Sequence, residues 1–125
     1  MSSSSVATEA TRTIAPPKGW TNEEEHMLRD AMWFGVDGVR ESMNTCYGLE
    51  NAEPIWREDP KFGNFLFIFQ AKDSPGRVSY YVFNAVSDGV WLIDAPGLDE
   101  IRDHISQFGE GEKTLGKLKL TEIFS

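Results

Sequence analysis

The chain has 125 residues, 40% hydrophobic, 12% aromatic and 26% charged, and its 20 acids outnumber 12 bases for a net charge of −8. That is the size and composition of one globular domain, and the acidic balance would repel phosphate backbones and anionic lipid, which sets nucleic acid and membrane aside as partners. No apolar run reaches the roughly 18–20 residues of a bilayer-crossing helix, and the single cysteine, Cys46, leaves no internal disulfide and no cysteine-rich zinc site, so a reducing, cytoplasmic compartment is expected.

Residues 1–19 hold Ser2-Ser3-Ser4-Ser5, scattered Thr and Ala, and Pro16-Pro17, with almost nothing large to bury. They read as a flexible arm ahead of a single domain over residues 20–125. Thr21 followed by Glu24 has capping-box spacing, and Glu23, Glu24 and Glu25 would lie where a helix dipole favours negative charge. Leu28, Ala31, Met32, Gly35, Val36, Val39, Met43 and Tyr47 keep helical spacing, which predicts one long helix to about Cys46. Gly35 and Gly38 mark a place for a kink or break, and Gly48 suits the C-terminal cap. From Glu50 to Gly63, Pro54, Pro60 and the Ile55-Trp56 pair read as an extended connection pinned to the core by its tryptophan.

Asn64 to Ala71 predicts a strand apolar on both faces, Asp73-Ser74-Pro75-Gly76 a turn, and Val78 to Val86 a second strand. Ser87-Asp88-Gly89 then turns the chain into Val90-Trp91-Leu92-Ile93, which completes a three-stranded antiparallel meander. Leu98, Ile101, Ile105 and Phe108 follow helical spacing and Gly109 stops the run. Leu115, Leu118, Leu120, Ile123 and Phe124 offer a C-terminal strand of weak alternation. The expected fold is α+β in two layers: an N-terminal helix, the meander, a second helix and the tail strand.

That layout leaves one sheet face to explain. Phe65, Phe67 and Phe69 would point to one side, Leu66 and Ile68 to the other, and helices over a single face would leave Leu66 and Ile68 for the tail, a second subunit in a homodimer, or a protein partner. Charge adds to the partner argument. From Thr21 to Pro60 ten acids face three bases, so nearly all the net negative charge lies in the first half of the domain. A surface of that kind steers a basic protein partner, with Glu23, Glu24, Asp30 and Asp37 as its candidate contacts.

Val90 to Leu98 resembles the strand and Asp-x-Pro-Gly segment of GTP-binding proteins, a resemblance that would place Asp94 near a magnesium ion. No Gly-x-x-x-x-Gly-Lys-Ser/Thr loop precedes it to cradle phosphates, so Asp94 reads instead as a cap for the following helix with Pro96 in its first turn. Trp20 to Glu25 is similar to the start of the first helix in Myb and SANT modules, whose later helices and spaced tryptophans are absent here.

Chemistry is thinly represented. Cys46 and His104 would need the fold to bring them together to act as nucleophile and base, and two histidines with one cysteine make a poor transition-metal set. No catalytic residue, metal or cofactor is expected. The favoured reading is a non-catalytic acidic protein-binding module, such as an adaptor, a secretion chaperone or an inhibitor or immunity-like protein. The alternative is a small enzyme or small-molecule binder with a pocket lined by Tyr80, Tyr81, Phe83 and Trp91.

Overall fold

Strict alternation at the centre of the chain sets the architecture. In Leu66–Lys72, Leu66 and Ile68 point to one side of the strand and Phe67, Phe69 and Ala71 to the other, and all five are buried. A computed structural model describes residues 15–62, 65–95, 97–108 and 119–123. In chain order these form β1 (Trp20–Thr21), α1 (Glu24–Met27), a π-helical turn (Arg29–Trp33), α2 (Val39–Tyr47), β2 (Glu50–Glu58), a short 3-10 turn (Pro60–Phe62), β3 (Leu66–Lys72), β4 (Val78–Asn84), β5 (Gly89–Ile93), α3 (Leu98–Phe108) and β6 (Leu120–Ile123). The fold is α+β, with a six-stranded antiparallel sheet whose strands lie side by side in sequence order.

The register keeps like with like. Phe67 opposes Phe83 and Phe69 opposes Tyr81, while Ile68 opposes Val82, which in turn opposes Trp91. One face gathers Phe67, Phe69, Tyr81, Phe83 and Val90 under Met27, Trp33 and Met43 from the N-terminal helical region. The other gathers Leu66, Ile68, Val82 and Ile93 under Leu98, Ile101 and Ile105 of α3. Helices therefore cover both faces, where two layers were expected.

Leu66 and Ile68, the candidates for an open association face, are 2% and 0% exposed. The physical reason is that α3 turns its apolar stripe onto the face that the N-terminal helices leave bare. The extended connection read after Glu50 is a paired strand of the sheet over Glu50–Glu58. β2 pairs with β3 through two irregularities, between Glu50 and Glu53 and between Pro54 and Trp56, and these carry Pro54 within the ladder.

The long N-terminal helix is broken in two places. Leu28 adopts a left-handed conformation (φ 56°), which ends α1 and starts the π turn, where the Trp33 and Phe34 amides donate to Leu28 and Arg29 carbonyls five residues back. A second interruption spans residues 34–38, and α2 starts behind Gly38. Gly48 (φ 70°) closes α2 as expected, its amide returning to the Asn44 carbonyl at 3.0 Å. Thr21 lies in β1 and its hydroxyl accepts the Glu23 amide (3.1 Å), so the helix starts two residues later than the capping-box spacing implied and without a side-chain cap. α3 starts at Leu98, so Asp94 stands four residues ahead of it rather than at its N-cap position. The Asp94 amide donates to the Lys119 carbonyl (2.9 Å) and its carboxylate meets Lys119 Nζ (3.4 Å), which extends the β5–β6 pairing. Residues 1–14 of the expected arm, and most of the tail beyond Phe108 apart from β6, lie outside the described residues.

Two outcomes follow from this packing. Ile68→Asp places a charge between α3 and the sheet at a fully buried position, so the substitution unfolds the protein outright, visible as lost far-ultraviolet circular dichroism; a folded monomer that has only lost self-association would contradict the packing. At Gly38, an added Cβ would lie 2.7–2.9 Å from the carbonyl oxygens of Trp33, Gly35 and Met32, whereas at Gly35 the nearest neighbour is at 3.5 Å. Gly38→Ala is therefore expected to cost about 1–3 kcal/mol in urea denaturation, and Gly35→Ala close to nothing.

Candidate functional site

The acid-rich half of the domain is organised by what its three bases do. Arg29, on the π turn, is 9% exposed; its Nε donates to Glu24 Oε1 (2.9 Å) and its Nη1 to the buried Glu53 Oε1 (3.5 Å). Arg40, on α2, donates from Nε to the Ala52 carbonyl (3.0 Å) and lies 4.2 Å over the Phe34 ring. Arg57, on β2, donates from Nη1 to the His26 carbonyl at the end of α1 (3.0 Å) and stacks 4.5 Å over Phe65. Burial lowers the Arg57 pKa, and Asp59 acts in the opposite direction.

All three guanidinium groups thus fasten helices or loops to the sheet, and none is exposed. Glu23, Glu24, Glu25, Asp30, Asp37, Glu41 and Glu50 are exposed. The outward surface is consequently more one-signed than the residue count alone implies. Of the four acids expected to contact a partner, Glu23, Asp30 and Asp37 project into solvent, while Glu24 also holds Arg29 and so belongs partly to the scaffold.

Beside these acids lies a groove of about 550 Å³, formed where the 31–39 segment and α2 meet the end of β4 and the β4–β5 turn. Met32, Val39, Met43, Tyr47 and Phe83 supply its apolar lining, Asp37 and Asp88 its charged groups, and none of its lining residues carries a positive charge. Both aspartates hold left-handed backbone conformations (φ 61°), which Asp and Asn tolerate better than other side chains do. Val36, at the same groove, is 90% exposed. The helical stripe read from sequence contained Met32, Val36, Val39, Met43 and Tyr47 without showing that a groove lies between the break at residues 34–38, α2 and Phe83.

Cys46 lies on α2 and lines this groove, whereas His104 lies on α3, over the opposite face of the sheet, so the fold does not bring the two together. Tyr80 and Trp91 pack on the α3 side and Tyr81 and Phe83 on the other, so these four aromatics do not line one pocket. Glu23, Glu25 and His26 bring two carboxylate oxygens and an imidazole nitrogen within 4.8 Å of one another. The His26 Nε2 contacts to Glu25 (3.5 Å) and Glu23 (3.8 Å) account for that proximity without an ion. Comparison with protein-family models, curated proteins and solved structures finds no match to this chain.

Burial pushes the Tyr47 phenol above its ordinary value, and the charges of Cys46, Asp88 and Glu122 add to the effect. Tyr80 and Tyr81 are raised too, in each case chiefly by burial. Unfolded tyrosine ionises near pH ~10, so above that pH the unfolded chain releases protons that the native chain retains. The tyrosine contribution to stability is complete below about pH 10 and declines as pH rises beyond it. A spectrophotometric titration should show phenolate forming in the native protein only above about pH 10, together with a urea midpoint that falls over the same range; native phenolate formation at or below the unfolded value would contradict the geometry.

Proposed function

We propose that the protein is a non-catalytic acidic binding module that engages a basic protein partner through the surface carrying Glu23, Glu24, Asp30 and Asp37. The observation that carries this reading is the division of labour among charges: every base of the acid-rich half is engaged inward, and seven of its acids face water. Complementary potential of this kind accelerates encounter and rejects like-charged competitors more than it deepens affinity. Support for a homodimer through Leu66 and Ile68 falls away with their burial. The small-enzyme or small-molecule alternative draws less support, because its aromatic set is divided between two cores. No helix among the described residues is long and apolar enough to cross a membrane.

The test is affinity capture from source cells by wild type and by a Glu23→Lys/Asp30→Lys variant, each at about 50 and 200 mM salt, across which contacts between exposed charges weaken. Glu24 is left in place because it holds Arg29. The expected result is a stoichiometric basic protein retained by wild type at low salt and released by the variant or by higher salt. Equal capture by both proteins, or a partner indifferent to salt, overturns the proposal.

A further inference from the structure

The acidic surface is not uniformly polar, and its apolar part is shaped. The groove holds about 550 Å³, within the roughly 300–1,000 Å³ of sites that take up organic ligands. Its lining combines the thioethers of Met32 and Met43, which adapt to different shapes, with Val39, the Phe83 ring and the Tyr47 phenol. Val36 stands almost fully in water at its edge, and the charges at its rim, Asp37 and Asp88, are both negative.

We infer that this groove receives the apolar side chains of a cationic amphipathic segment in the partner, with Lys or Arg of that segment meeting Asp37 and Asp88; the inference rests on the acidic-module reading and adds a hydrophobic anchor to it. Charge selects the occupant. An anionic ligand or a nucleic acid meets two carboxylates and no cation at the groove. A second copy of this chain brings a net charge of −8 against a surface of the same sign. A segment with large apolar residues flanked by bases satisfies both the lining and the rim, and follows the general pattern of a central apolar anchor within a polar border.

The chain supplies its own reporter, because Cys46 is its single cysteine, is exposed, and lines the groove. The experiment uses full-length protein labelled at Cys46 with bimane and two fluorescein-free synthetic peptides of equal charge. One carries Leu and Phe at helical spacing among lysines; the other has Ser at those apolar positions. The amphipathic peptide is expected to bind at least tenfold tighter at low salt and to shift the bimane emission to the blue. Asp37→Asn/Asp88→Asn, which keeps residue types suited to the left-handed backbone, is expected to weaken that binding at least fivefold without altering thermal stability. If this variant proves less stable, Ser42→Trp, an exposed groove position on α2, supplies the second measurement and should block the amphipathic peptide alone.

Equal affinity of the two peptides with an unchanged bimane spectrum overturns the groove inference. If both peptides are then weakened by Glu23→Lys/Asp30→Lys, the acidic module stands without its anchor. If neither peptide binds at low salt, both readings fall together.

Discussion

The indole of Trp33 is the contact on which the rest of the N-terminal half depends. It is fully buried, with its centroid 5.4 Å from Phe67, 5.5 Å from Phe69 and 5.9 Å from Phe83, two of the three in edge-on geometry. Such aromatic pairs add roughly 0.5–1.5 kcal/mol each beyond the area they bury. Trp33 stands at the end of the π turn, so docking it on the sheet decides where the chain stops being helical and in which direction it leaves. The wide turn and the left-handed Leu28 are the local costs of bringing that ring to the phenylalanines. Arg29 and Arg57 then tie the preceding turn to β2, and of the acids between them Glu53 turns inward to Arg29 while Asp30, Asp37, Glu41 and Glu50 face outward.

The sheet separates two kinds of core. Its Trp33 side is aromatic and sulfur-rich, with Met27 and Met43 among the rings, whereas its α3 side is mainly aliphatic around Trp20 and Trp56. This division bears on function. Rings and thioethers set against a broken helix border the groove at the edge of the Trp33 core. Among the described residues, Trp20, Trp33, Trp56, Phe67, Phe69, Tyr81 and Phe83 are all buried in these two cores.

How much of this was readable beforehand differs by element, for physical reasons. β3, β4, β5 and α3 were legible because alternation, turn residues and a helical stripe each agreed with the burial they meet. β2 was not, since Pro54, Glu50, Glu53 and Glu58 interrupt the strand signature and its two register irregularities spoil any simple period. The break at Gly35 and Gly38 had a signal, but the one at Leu28 had none, because nothing about a leucine announces a left-handed backbone. The acidic character of the surface followed directly from composition. The inward engagement of Arg29, Arg40 and Arg57 could not, as their partners are mostly carbonyls and carboxylates distant in sequence. Nor could the groove, which is assembled from a loop, a helix and a strand end.

The unbroken strand order from β1 to β6 has a kinetic meaning. With every strand paired to its sequence neighbour, each addition to a β3–β4 hairpin closes only the loop next to it, and the entropy lost in closing a loop rises with its length. Growth from that hairpin reaches β5 across a four-residue turn, Ala85 to Asp88, and β2 across a short connection. β1 and β6 are the exceptions, since α1, the π turn and α2 separate β1 from β2 and the whole of α3 separates β5 from β6. The order of assembly implied by this topology places the Phe67–Phe83 and Ile68–Val82 rungs first and the pairing of the two outer strands late, so a ribosome-bound chain can build the four central strands of its sheet before β6 emerges.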